Sequence, residues 1–103
     1  MVGTAHSFND IADTTGLHIS LRKFTDINID LSEQTVTFGA GVTYTMLINA
    51  LESFGLALEN LPSLPHLNIV GSVVTGTHGG GINNSAMASY VLSVSYIDSN
   101  GQK

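Results

Sequence analysis

Cysteine is absent from the 103 residues, so this chain can build no disulfide framework, thiolate nucleophile or cysteine-based zinc site. Positive charge is scarce: Arg22, Lys23 and Lys103 stand against eight acidic residues, a formal net charge of −5. Binding nucleic acid by counterion release needs several Lys or Arg presented to phosphates, and no stretch here can present them. The same scarcity argues against a polybasic membrane anchor, and no apolar run approaches the ~18 residues of a membrane span. Met1-Val2-Gly3-Thr4-Ala5-His6 has neither the charged start nor the continuous apolar stretch of a secretory signal, so a soluble, cytoplasmic chain is the expectation.

What is present is a 43% apolar composition, enough for one core at the small end of the usual ~100–150 residues of a domain. At this size only roughly 60–70% of the unfolded surface is buried on folding, so any missing core element would be felt at once.

From Phe24 to Gly41 the pattern alternates. Ile27, Ile29 and Leu31 interleave with polar residues, Leu31-Ser32-Glu33-Gln34 supplies a turn, and Val36 and Phe38 alternate with Thr35 and Thr37, which predicts a β-hairpin. Gly39-Ala40-Gly41 breaks the strand. Thr43 then serves as N-cap of a helix carrying Leu47, Ile48, Leu51 and Phe54 on one face, ended by Gly55 as the left-handed C′ residue with Leu56 in apolar contact. From Leu61 to Gly81 neither period fits, because Pro62 and Pro65 block regular hydrogen bonding and glycines loosen the backbone, so a long ordered loop is predicted. Tyr90 to Ile97 is rich in β-branched and aromatic residues and reads as a strand running into Asp98-Ser99-Asn100-Gly101, a hairpin-turn signal. A strand entering a turn with no return strand leaves N–H and C=O groups unpaired, and Val2-Gly3 reads as the exit of an earlier strand. The expectation is a piece of a larger domain; a natural frayed terminus is the alternative.

Gly3-Thr4-Ala5-His6-Ser7-Phe8-Asn9-Asp10 places small residues before a histidine flanked by hydroxyl and amide side chains. Small residues let backbone N–H groups approach an anion, and with so few cations a pyrophosphate would be held by such dipoles and by Thr4, Ser7 and Asn9. Ordinary loop composition is the competing reading. A second segment, Leu61 to Ile82, contains Ser63-Leu64-Pro65-His66, Gly71-Ser72 and Thr75-Gly76-Thr77-His78-Gly79-Gly80-Gly81. Its poverty in charge and wealth of Gly, Ser and Thr suit a loop lying against something flat and polar. No Gly-Lys-Ser/Thr and no Gly-x-Gly-x-x-Gly occurs, which excludes a Walker loop and a dinucleotide fingerprint. The four histidines, His6, His18, His66 and His78, include no i, i+4 pair on a helix and no His-x-His, so no metal site is predicted. His18 is expected in a strand between Leu17 and Ile19. Asp10 and Asp13 read as turn or helix-start residues rather than paired catalytic carboxylates.

Taken together, Gly3 through Asp13, Leu64-Pro65-His66 and Gly71-Ser72-Val73-Val74-Thr75-Gly76-Thr77-His78-Gly79 closely resemble the FAD-binding domain of alditol and xylitol oxidases, flavoproteins of the vanillyl-alcohol oxidase type. The resemblance runs nearly the full length, including Gly41-Val42-Thr43-Tyr44 and Phe54-Gly55-Leu56-Ala57-Leu58.

The resemblance implies an α+β fold, here a partial FAD-binding domain over residues 1–103. The domain's N-terminal start and a C-terminal substrate domain are expected to be missing, so the piece alone should not turn over substrate. It implies FAD as cofactor, with Thr4, Ala5, His6, Ser7, Phe8, Asn9 and Asp10 forming the pyrophosphate loop and His6 attached covalently to the flavin 8α-methyl. Ser63, Asn68, Gly71, Thr75, Gly76, Thr77 and His78 would line the cofactor, with Ser63 near the substrate hydroxyls. The implied reaction oxidises an alditol primary alcohol to the aldehyde while dioxygen becomes hydrogen peroxide; small-molecule polyol and dioxygen are the implied partners. An aldonolactone oxidase and a non-catalytic binding module are the alternatives, and Ser63-Leu64-Pro65-His66 favours the alditol type. Gly80 departs from the pattern where relatives often carry Ser or Thr, removing a side-chain hydrogen bond there, and Ala5 occupies a variable position.

Overall fold

The computed structural model describes all residues from Met1 to Lys103. Its first regular element is an antiparallel hairpin of β1 (Ile27–Asp30) and β2 (Thr35–Phe38), in the register Ile27 opposite Phe38 and Ile29 opposite Val36. The alternation is consistent with this pairing: with a side-chain period of two, a one-residue slip would turn Ile27, Ile29, Val36 and Phe38 away from the face that packs against the core. Asp30 builds the connecting turn. Its Oδ1 accepts from Ser32 N at 2.9 Å, Ser32 Oγ at 2.7 Å and Glu33 N at 3.1 Å, and Gln34 closes the turn at φ 52°. The Ser32 hydroxyl, the leading cause, favours the ionised form and holds the Asp30 carboxyl below its ordinary value.

Helix α1 (Tyr44–Glu52) follows, capped as expected by Thr43, whose Oγ1 accepts from Met46 N at 3.4 Å. Its C-terminal end is a Schellman motif: Leu56 N donates to Leu51 O at 3.1 Å and Gly55 N to Glu52 O at 3.0 Å, with Gly55 at φ 67°. Leu47 and Leu51 are buried, but Phe54 lies beyond the helix and is 53% exposed, because the left-handed turn at Gly55 ends the face it was expected to extend.

Three other expectations need correction. The 61–81 segment is not loop throughout: α2 (Ile69–Val74) sits inside it, started by Asn68, whose Oδ1 accepts from Gly71 N at 2.8 Å. A six-residue helix is too short to show a full apolar stripe, so its cap was the only local signal. The strand expected over Tyr90–Ile97 does not form. Met87–Tyr90 is a 3₁₀ turn, and the residues after it pair with no strand, leaving Leu92, Val94, Tyr96 and Ile97 exposed. β-propensity fits a residue to a pleated surface, but a strand exists only when a neighbour takes its hydrogen bonds. His18 is likewise not in a strand; its Nε2–H donates to Ala12 O at 2.6 Å beside a lone parallel bridge between Val2 and Ser20. The turn at the other end does form, with Asp98 Oδ1 accepting from Asn100 N at 2.8 Å and Gln102 N at 2.9 Å, and Gly101 at φ 76°.

Val42, Tyr44, Leu47, Leu51, Ile69 and Met87 make one core, drawn from α1 and the residue two before it, α2 and the 3₁₀ turn, and flanked by the inner face of the hairpin. No helix is long and apolar enough to cross a membrane.

Candidate functional site

The candidate site is assembled where the N-terminal loop lands on the segment leading into α2. That segment is itself pinned to α1: Thr45 N and Thr45 Oγ1 both donate to Pro65 O, at 2.7 and 2.9 Å, and Tyr44 N donates to Leu67 O at 3.1 Å. His66 therefore projects from a turn whose backbone is held by the first turn of α1, a helix anchored in the core by Tyr44, Leu47 and Leu51.

Asn68 joins the parts. Only 7% exposed, it donates from Nδ2 to Ala40 O at 2.7 Å and Val42 O at 3.3 Å, accepts from Gly71 N, and donates from its backbone N–H to Thr4 Oγ1 at 3.2 Å. A Cβ built on Gly3 would come within 3.0 Å of Asn68 Cβ, so the N-terminal loop reaches this close only because residue 3 has no side chain. The amide of Asn68 is thus committed to the protein, and so is the Gly71 N–H.

His6 makes two hydrogen bonds. Its Nδ1 lies 2.7 Å from Thr4 O, and because a carbonyl only accepts, Nδ1 carries a proton. Its Nε2 lies 2.8 Å from Nε2 of His66, with ring centroids 4.5 Å apart and planes at 61°. The histidine pair is the juxtaposition that sequence reasoning missed. The Leu64-Pro65-His66 motif was visible, but a separation of sixty residues gives no local sign that these two rings meet.

Around His6, the backbone N–H groups from Gly3 to Asp10 donate to no protein acceptor. Ala5 sits in the left-handed region at φ 58°. Left-handed residues within a loop turn successive N–H groups toward one side, the geometry of an anion-binding concavity. Ser7, Phe8, Asn9 and Asp10 are exposed and make no hydrogen bond to the second segment; Asn9 Oδ1 accepts from Ile11 N at 3.3 Å, and Asp10 O accepts from Asp13 N at 2.8 Å. Asp10 and Asp13 accordingly belong to a turn.

The remaining expected residues lie along the second segment. Ser63 is exposed and its hydroxyl has no protein partner. Thr75 Oγ1 donates to Gly71 O at 2.9 Å and lies 3.4 Å from Thr77 Oγ1, Gly76 is at φ 69°, and His78 Nδ1 donates to Gly79 O at 3.0 Å. A Cβ at Gly79 would collide with Asn60 Oδ1 and Leu61 O, so the glycine-rich loop is packed tightly against the chain before Pro62. No three His, Cys, Asp or Glu side chains come together as a metal site.

Comparison with known proteins decides what such a site belongs to. The family model described as an FAD binding domain matches residues 1–103. The chain belongs to this FAD-binding family. Alditol oxidase of a Streptomyces species is 40% identical over 101 residues, covering 95% of this FAD-binding chain and 24% of that protein. L-gulonolactone oxidase of Mus musculus is 33% identical over 102 residues, covering 98% of the chain and 23% of that protein. Long-chain alcohol oxidase of an uncultured marine euryarchaeote is 32% identical over 95 residues, covering 90% and 19%. The chain therefore spans about a quarter of the length of the first relatives it matches. FAD is the cofactor of this family member, and the relatives it matches are oxidases. The donor set fits: unpartnered N–H groups and uncharged hydroxyls suit a pyrophosphate in a chain with so few cations.

Proposed function

We propose that this chain is the FAD-binding part of a larger flavin-dependent polyol oxidase, which oxidises the primary alcohol of an alditol to an aldehyde and reduces dioxygen to hydrogen peroxide. The observation that carries this reading is the loop from Gly3 to Asp10, whose free N–H groups and left-handed Ala5 surround a histidine already oriented by two hydrogen bonds. The 40% identity to an alditol oxidase supports the substrate class.

When bound, FAD supplies the redox chemistry, accepting hydride from a carbinol carbon and passing the electrons to dioxygen. The protein's part is placement. Thr4 to Asp10 hold the pyrophosphate with backbone dipoles, since no Lys or Arg lies in the loop. Thr75, Gly76, Thr77 and His78 flank the cofactor on the side of α2, with Asn68 and Gly71 tying that side to the loop. Ser63, with its hydroxyl unpartnered, faces the substrate hydroxyls. His6 is the covalent anchor: a neutral imidazole nitrogen of its ring is the atom able to bond to the flavin 8α carbon.

The aldonolactone reading has its own support in the 33% identity to an L-gulonolactone oxidase over 98% of the chain. Product analysis of the full-length protein on xylitol and on a sugar lactone separates the two; turnover of the lactone alone would exclude the polyol assignment. Covalent attachment is tested by denaturing the full-length protein in acid and looking for flavin fluorescence on a gel. Fluorescence stays with the wild-type band and is lost in His6→Ala; a wild-type band without it would remove the histidyl link.

A further inference from the structure

We infer that His18 is a positioning residue for the cofactor loop: its ring clasps the far half of that loop, so that the N–H groups proposed to hold the pyrophosphate stand ready before FAD arrives. The inference rests on the reading of Thr4 to Asp10 as the pyrophosphate loop, and it names a residue outside that loop that tunes it.

The loop leaves and rejoins the body of the protein at one neck, where Val2 N donates to Ile19 O at 2.9 Å and Val2 forms a parallel bridge with Ser20. Beyond that neck, three hydrogen bonds tie residues 3–13 to chain outside them. Asn68 N donates to Thr4 Oγ1 at 3.2 Å and His66 meets His6 at 2.8 Å, so two of the three hold the half nearer the N-terminus. The third is His18. Its Nε2–H donates to Ala12 O at 2.6 Å, and it alone holds the other half.

Two short-range bonds carry this restraint back into the loop. Asp13 N donates to Asp10 O at 2.8 Å and Ile11 N to Asn9 Oδ1 at 3.3 Å, so fixing Ala12 fixes the turn in which Asn9 and Asp10 sit. With the clasp, the stretch without an outside restraint runs over residues 7–11; without it, the stretch extends over residues 7–18, to the neck at Ile19. Every backbone residue that must be ordered on binding subtracts from affinity, and a restraint already present removes part of that cost. The histidine lies outside the anion-binding stretch, so replacing it strips no donor from the cofactor. It is exposed, so its hydrogen bond competes with water and its effect on affinity is a matter of a few fold.

The test uses the full-length protein prepared without flavin in a His6→Ala background, which keeps binding reversible, with His, Leu or Gln at position 18. FAD is titrated by quenching of flavin fluorescence. ADP, which carries the pyrophosphate without the flavin, is measured by competition with FAD, and thermal melting is recorded for the flavin-free forms. Leucine removes the donor, while glutamine returns an N–H at similar reach. His18→Leu is expected to weaken FAD and ADP alike by about fivefold, and His18→Gln to bring both back within about twofold of the parent. Melting temperatures are expected to move by less than about 2 °C. A merely structural role would lower the melting temperature together with the affinity and would not be rescued by glutamine. Unchanged FAD and ADP binding in His18→Leu overturns the inference, and so does a glutamine variant as weak as leucine, or a loss confined to FAD. Should His18→Leu fail to fold, His18→Gln decides alone: FAD affinity within about twofold of the parent supports the inference, and a loss of about fivefold overturns it. ADP that fails to compete with FAD in the parent itself overturns the pyrophosphate reading and this inference with it, an outcome distinct from the loss of the His18 effect alone.

Discussion

The Tyr44 hydroxyl lies 2.6 Å from Ser72 Oγ, and Ser72 Oγ donates to Ile69 O at 2.8 Å. A serine hydroxyl has one hydrogen, so with that hydrogen on Ile69 O it is Tyr44 that donates to Ser72. This buried relay ties the first residue of α1 to α2, which leads directly into Thr75–His78, the stretch proposed to flank the flavin.

The relay has an asymmetric mutational signature. Tyr44→Phe removes the donor and leaves Ser72 still bonded to Ile69 O, a loss of about 1 kcal/mol. Ser72→Ala strands a buried phenol hydroxyl and costs more, about 1–3 kcal/mol. The double variant is expected to be less destabilised than the sum of the two. Thermal unfolding of the full-length protein in the four forms checks the order.

Alkaline pH should act through the same tyrosine. Burial disfavours the phenolate and raises the Tyr44 pKa above its ordinary 10.0. The folded state therefore holds this proton more tightly than the unfolded chain. The stability it contributes is complete below pH 10.0 and is lost as pH rises through the higher folded value. Melting temperature measured across that window should fall more steeply in wild type than in Tyr44→Phe.

Asn68 offers a sharper contrast between substitutions. Asn68→Ala leaves Ala40 O, Val42 O and Gly71 N without their side-chain partner and should cost about 2–3 kcal/mol. Asn68→Asp keeps the acceptor for Gly71 N but sets a carboxylate, which has no N–H, against two carbonyls, so it should be no milder. Both variants should also loosen noncovalent FAD retention, measured by ultrafiltration of His6→Ala-background protein, because the backbone that presents the Asn68 N–H to Thr4 Oγ1 is no longer held to Ala40 and Val42.

Local features were legible wherever the deciding interaction lies within a few residues. The hairpin follows from the alternation of Ile27, Ile29, Val36 and Phe38, the helix start from Thr43, and its end from Gly55. Each is a backbone preference or a short-range hydrogen bond, so the order of residues is sufficient. The cofactor itself was legible too: the resemblance of the motifs pointed to FAD, which the family match bears out.

Long-range choices were not legible. Tyr90–Ile97 has the composition of a strand, yet a strand needs a neighbour, and composition cannot supply one. The segment after Pro65 hid α2 because six residues are too few to display a period, and that helix is held by a tyrosine twenty-eight residues away. The residue types thus determined which segments turn and cap, and the motifs marked the chain as FAD-binding. The tertiary structure alone decided that His66 meets His6, sixty residues away, and that Asn68 clamps Thr4, Ala40 and Val42 together, because those facts depend on bringing together distant parts of the chain, which no local preference encodes.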